Sequence, residues 1–200
     1  MSHLVLGPIV RLQIQRSALK IGEKPQRRYD PGAILATDRL RVGPDGAVAL
    51  VDGQEIVDVH HRGHPATRNH EGRNSLSVGF TSHYAAMRDR YGNHMTPGCA
   101  GENILVDVAR RVTPEEARHG FVIHSEAGKR RLSLGRVSVA APCRPFSGFA
   151  HQHEMVEPHV LKETLQFLDG GTRGYYCSVG DAGEAVIQVG DVVALAETEK

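Results

Sequence analysis

The chain reads as a mostly β protein with a few helices, an α+β fold built on a closed or strongly curved β-barrel. Three observations predict it. Apolar runs are short and are broken by 22 glycines and 10 prolines scattered through the 200 residues. Several runs alternate apolar and polar positions, the period of a half-buried strand. The few helical stretches do not alternate regularly with the strands, which disfavours a parallel doubly wound sheet and suits a barrel.

The elements follow in order. Val10, Leu12 and Ile14 alternate within residues 9–14, as in a strand. Residues 16–46 are rich in charge, Gly and Pro and are expected to be irregular. Pro44-Asp45-Gly46 is a turn signal before the run Ala47–Val51, and Asp52-Gly53 is another before Glu55–Val59. Ser75–Phe80 is expected to be a strand, with Thr81 capping a helix that runs to about Tyr91 and stops at Gly92. Glu102–Val108 reads as a strand. Thr113-Pro114-Glu115-Glu116 carries a cap residue, a first-turn proline and first-turn acids, so a short helix ends before Gly120. Arg131–Ala141 is a long strand containing Gly135. Residues 157–168 form the clearest helix, with Leu161, Leu165 and Leu168 near one face. Strands are then expected at Arg173–Val179, Ala185–Val189 and Val192–Ala196. One domain spanning 1–200 accounts for the whole, with a core of about 50–196 and residues 1–49 packed on it as a strand and an irregular segment.

Bulk properties narrow the function. The net charge of +1 gives no global electrostatic case for nucleic acid or an anionic membrane surface. No run approaches the roughly 18 apolar residues of a membrane helix. The first 15 residues lack the basic start and long apolar stretch of a signal peptide, so a cytoplasmic protein is expected. Cys99, Cys143 and Cys177 are an odd set without C-x-x-C spacing, unlike a disulfide framework or a four-cysteine zinc site.

Three segments bear chemistry. His60-His61-Arg62-Gly63-His64-Pro65, with Arg68, His70 and Arg73 nearby, suits an anionic ligand better than a metal, because adjacent strand histidines point to opposite faces. Thr96-Pro97-Gly98-Cys99-Ala100-Gly101-Glu102-Asn103 holds two glycines that permit a tight turn whose N–H groups suit an anion; the competing reading is a plain Gly-rich loop. Val137–Ala141 leads into a Pro142-Cys143-Arg144-Pro145 turn, which places Cys143 at a strand end with a guanidinium next in sequence. A nearby cation favours thiolate, the nucleophilic and metal-binding form; a small buried hydrophobe is the alternative. Cys99 and Cys177 have no adjacent Arg or Lys.

Together these segments resemble the MOSC domain, found at the C-terminal end of molybdenum-cofactor sulfurases and alone in small bacterial proteins. The resemblance rests on Pro97, Gly98, Gly101, Glu102 and Asn103; on Pro142 and Cys143; on Gly174, Tyr176 and Val179; and on Gly190, Asp191 and Val193. His61-Arg62-Gly63 stands where the family carries a His-Gly-Gly type loop. Two positions depart. The family often has an arginine three residues before the cysteine, where this chain has Ala140, leaving Arg144 or Arg136 to supply the charge. His64 stands where a second glycine or small residue is usual.

The resemblance implies a barrel of the MOSC and pyruvate kinase β-barrel type. It implies that Cys143 ligates molybdenum or carries persulfide sulfur. It also implies that a molybdenum cofactor (molybdopterin) is held by His61, Arg62, Arg68, Gly98, Gly101, Glu102, Asn103 and Arg144. Three activities stay open. One is an oxidoreductase acting on N-hydroxylated or related small molecules and fed by an electron-donor protein. The second is a sulfur carrier loaded by a pyridoxal-phosphate-dependent desulfurase. The third is a non-catalytic small-molecule binding module.

Overall fold

The computed structural model describes residues 4–69, 71, 72, 74–125, 130–180 and 184–197. His70, Arg73 and Lys129 lie outside the described residues. In chain order, strands β1 (Val5–Gln15), β2 (Lys20–Ile21), β3 (Arg28–Tyr29), β4 (Ile34–Thr37), β5 (Arg39–Gly43), β6 (Gly46–Val51), β7 (Gln54–Val57) and β8 (Leu76–Phe80) lead into helix α1 (Thr81–Tyr91). Strand β9 (Ile104–Val106), helix α2 (Pro114–Ala117), strands β10 (Phe121–Ser125) and β11 (Arg130–Val139), and helices α3 (Arg144–Ala150) and α4 (Pro158–Leu168) follow. The chain ends through β12 (Tyr175–Val179), β13 (Ala185–Gln188) and β14 (Val192–Leu195).

The expected barrel is present and closed. Its seven strands run β1-β14-β10-β11-β12-β8-β9 and return to β1, with β4 paired to the far half of β1. The long β1 makes closure possible. Val5–Pro8 pair with β14, Ile9–Leu12 with β9, and Leu12–Gln15 with β4. All barrel pairings are antiparallel except β8 with β9. A parallel pair needs a crossover, and α1 with the loop after it provides one. Inward residues Leu12, Ile14, Val78, Phe80, Phe121, Ile123, Leu134, Tyr175 and Val193 fill the barrel. A second sheet, β13-β5-β6-β7, adds Leu40, Val42, Ala47, Ala49 and Ile187 to the same core.

Two expectations are corrected. Residues 16–46 hold β2 to β5 rather than irregular chain. Arg39-Leu40-Arg41-Val42 does alternate: Leu40 and Val42 are buried while Arg39 and Arg41 face outward, so the high charge belongs to one face of a strand. The Pro-Cys-Arg-Pro segment is not only a turn but opens α3. Pro145 is tolerated in the first helical turn, and Phe146 and Ala150 are buried in a second apolar cluster with Tyr29, Tyr84, Met87, Met95 and Leu168. Burying one such aromatic side chain contributes roughly 1.5–3 kcal/mol, more than the cost of about 1 kcal/mol for Gly148 inside a helix.

Smaller features agree or shift by a residue. The Thr113 cap forms a full capping box with Glu116. Thr81 is the first residue of α1 rather than its cap. Its hydroxyl donates to Asp107 Oδ1 at 2.7 Å and accepts from Val108 N at 3.0 Å, tying α1 to the end of β9. No helix among the described residues is long and apolar enough to cross a membrane.

Candidate functional site

A cavity of about 300 Å³ opens between the barrel and the second apolar cluster. The end of β1 gives Gln15, the β2–β3 hairpin gives Lys20, Arg27 and Tyr29, and the turn after β7 gives His60 and Arg68. Gly101 and Glu102 come from the loop before β9, Ala140 from the end of β11, and Arg173 and Tyr176 from the start of β12. Four cationic side chains thus surround one carboxyl. Lys20 and Arg68 are exposed, Arg27 is half-buried and Arg173 is buried.

Arg173 dominates the inner wall, and nothing in the sequence singles it out. The β11–β12 pairing sets Val139 against Tyr175, and Ala140 N donates to Gly174 O at 3.0 Å. Arg173 is therefore carried to the end of β11, beside Ala140. Its Nη1 donates to Ala141 O at 3.0 Å and lies 3.9 Å from Cys143 Sγ. Its Nη2 lies 3.5 Å from Ala100 O, and the guanidinium stacks 4.3 Å from the Phe146 ring centre. Burial, the largest influence, pulls its pKa down, but Tyr29, Cys143, Tyr176 and Glu102 together leave it raised, so the charge persists. Its Nε is buried without a hydrogen-bond partner among the described residues. A buried orphan donor is costly, and it suits an acceptor brought by a ligand. Arg136 and Arg144, the other candidates for this charge, are exposed and off the cavity wall.

The sequence-predicted residues divide. Arg68, Gly101 and Glu102 line the cavity. Glu102 is fully enclosed, and burial pushes its carboxyl above the usual range. The Tyr84 hydroxyl donates to it at 2.7 Å while accepting from Ala100 N at 3.0 Å. Gly101, at φ +91°, leaves room for Gln15 and Leu19, which a Cβ would meet within 3 Å. Cys143 caps α3, is half-buried, and is not part of the wall; it reaches the cavity through Arg173. His61 accepts from Gly63 N at its Nδ1, Arg62 pairs with Asp45 at 3.3 Å, and both are off the wall. Gly98 packs against Gln13, whose Nε2 donates to its carbonyl at 2.7 Å.

Asn103 has no hydrogen-bonding capacity left for a ligand. Its Oδ1 accepts from Ser77 N and Oγ at 3.0 and 3.1 Å, and its Nδ2 donates to Gln13 O at 3.2 Å and Asp58 Oδ2 at 3.1 Å. It joins β1, β8 and the turn after β7. Among the described residues no group of three or more His, Cys, Asp or Glu is placed to hold a metal ion. The other two thiols are inaccessible: burial pushes Cys99 up to about 12 and Cys177 well above its ordinary value.

A seven-stranded closed barrel with a basic cavity and one half-buried cysteine beside it defines the class: a small barrel protein with a cation-lined cavity near a thiol. The MOSC domain family model matches residues 38–194. The chain belongs to that family. Among solved structures it is similar to the YuaD protein from Bacillus subtilis, at TM-score 0.56 and 14% identity over 96% of both chains. It is also similar to the YiiM protein from Escherichia coli, at TM-score 0.50 and 14% identity over 82% of this chain and 66% of that one. At these identities the likeness concerns the fold. No curated protein matches the chain.

Proposed function

We propose that the protein binds a molybdenum–pterin cofactor in this cavity, with Cys143 as sulfur ligand to the metal. It then acts as an oxidoreductase on N-hydroxylated or related small molecules. The observation that carries the reading is the wall itself, where Lys20, Arg27, Arg68 and the buried Arg173 converge on one space of about 300 Å³.

The residues fit such a group. A pterin phosphate is matched by flexible cations at the rim, Lys20, Arg27 and Arg68, and a guanidinium forms strong charge-assisted bonds to phosphate. The orphan Nε of Arg173 offers a further donor. Cys143, 3.9 Å from the same guanidinium, supplies a soft donor of the kind that thiolate-binding metals take. The bound group supplies redox chemistry at its metal; the chain supplies binding, orientation and electrostatics. Glu102 is the one carboxyl on this wall among the described residues, and burial pushes its pKa up. Electrons come from a separate donor protein, and the reaction takes place in the cytoplasm within one MOSC domain.

A second reading has its own observation. Cys143 is half-buried and stands beside the wall rather than on it, which suits a persulfide that must be reached by a pyridoxal-phosphate-dependent desulfurase. Elemental mass spectrometry of protein from a molybdopterin-competent host separates the two. Near-stoichiometric molybdenum that vanishes in Cys143→Ala is expected. Wild-type protein without molybdenum sinks the cofactor reading, and a mass gain of one sulfur atom on Cys143 then establishes the carrier.

A further inference from the structure

We propose that His60 is the proton-transfer residue of the cavity and that Asp58 positions it. The inference rests on the cavity being the reaction site and names the residue that moves a proton there.

Asp58 follows β7 and is 0% exposed. Its carboxylate is gripped from several sides. Oδ2 accepts from Gln15 N at 2.7 Å and Asn103 Nδ2 at 3.1 Å. Oδ1 accepts from His60 N at 2.8 Å and lies 2.9 Å from His60 Nδ1. In this proposal the ring contact is an Nδ1–H donating to the same oxygen that accepts the His60 backbone N–H. That bond sets the tautomer and aim of the ring, the part an orienting carboxylate plays for a working histidine. The imidazole itself lines the cavity, with its side chain 38% exposed, and its Nε2 has no hydrogen-bond partner among the described residues. The neighbouring His61 turns away to Gly63 N, so the pair does not act as one metal site.

Reduction of an N-hydroxylated compound consumes two electrons and two protons and yields the amine and water. The N–O bond breaks as the one-electron donor protein delivers two electrons in successive transfers. The Nε2–H bond of protonated His60 breaks and an O–H bond forms, so the oxygen leaves as water rather than hydroxide. The second proton goes from solvent to nitrogen. His60 keeps its Nδ1–H on Asp58 and regains its Nε2 proton from solvent through its exposed edge.

Two measurements test this on the full chain. In protein without cofactor, nitrogen-15 spectra of His60, assigned against His60→Gln, are expected to show the Nδ1–H tautomer and to shift when inorganic pyrophosphate is added. An Nε2–H tautomer, or resonances that ignore pyrophosphate, overturns the proposal. In molybdenum-loaded protein, His60→Gln is expected to retain the wild-type metal content and to reduce hydroxylamine with reduced methyl viologen about 100-fold more slowly, a typical loss for a proton-transfer group. An unchanged rate overturns it. So does loss of molybdenum from His60→Gln, which makes His60 a binding group. Wild-type protein that lacks both metal and turnover sinks the reading of the cavity and this step with it, so the wild-type sample tells the two failures apart.

Discussion

Replacing Arg173 by methionine separates stability from ligand binding. The guanidinium loses a good hydrogen bond to Ala141 O at 3.0 Å and a marginal one to Ala100 O at 3.5 Å. A bond from a charged donor contributes about 1.5–3 kcal/mol, so the two together contribute about 2–4 kcal/mol. The stack on Phe146 at 4.3 Å adds about 2 kcal/mol, part of which a methionine sulfur against the same ring recovers, about 0.3–1.5 kcal/mol. Against these losses stands the cost of burying a charge whose only acting carboxylate among the described residues is Glu102. That cost is several kcal/mol, and methionine removes it together with the orphan Nε. The opposing contributions nearly cancel, leaving a net change under about 2 kcal/mol, or less than about 8 °C in Tm for a chain of this size. An anion in the cavity has no such compensation. Losing one buried charge-assisted bond of about 1.5–3 kcal/mol weakens it roughly 10- to 100-fold. Thermal unfolding and calorimetric titration with inorganic pyrophosphate read the two effects. An Arg173→Met protein that binds pyrophosphate as tightly as wild type refutes the placement of Arg173 at an anion site. One that loses far more than 8 °C in Tm shows that the guanidinium serves the fold instead.

Asn103→Ala is expected to behave in the opposite way, because it strips four side-chain hydrogen bonds from a buried junction, leaving Ser77 N without its acceptor and Asp58 Oδ2 with Gln15 N alone. At about 1–3 kcal/mol for the one buried orphan and about 0.5–1.5 kcal/mol for each further bond lost, a loss of about 2–5 kcal/mol should appear in urea unfolding; a loss under about 1 kcal/mol contradicts the junction. The acid limb of the stability curve should report His83, whose pKa burial and then the Arg111 charge lower from 6.5 to about 4 while its Nε2 accepts from Val112 N at 3.1 Å. The unfolded chain then binds this proton more readily than the folded one, so stability rises with pH between about 4 and 6.5 and is lost as pH falls through that window. Replacing His83 by glutamine should flatten that slope by about one proton, and an unchanged slope rejects the assignment.

Local chemistry made most of the elements readable. Alternation marked β1, turn residues marked the start of β6, the Thr113 cap with Pro114 and the first-turn acids announced α2, and the apolar spacing of Leu161, Leu165 and Leu168 announced α4. Where reading failed, a local cue pointed the wrong way. The arginines of β5 suggested loop because charge obscured a real alternation, and Pro142 and Pro145 suggested a turn although burial of Phe146 sustains a helix. The site was half readable. Cys143, Arg68, Gly101 and Glu102 sit in or beside motifs with a recognisable order; the last three line the cavity and Cys143 stands beside it, against Arg173. Lys20, Arg27 and Tyr29 come from a hairpin within the segment expected to be irregular, and no motif marks them.

By itself the sequence determined the barrel class, the family, and which thiol stands beside a turn able to expose it, because each depends on residues near one another in the chain. The tertiary structure alone decided that Arg173 meets Cys143, that Asp58 aims His60, and that Asn103 belongs to the frame. These contacts join residues from separate strands and turns, and they exist only in one register of β11 on β12 and one closure of β1 on β9 and β14. Register shifts a side chain from one face of a strand to the other with a single residue's slip, and a pairing between distant strands leaves no periodic trace in either of them.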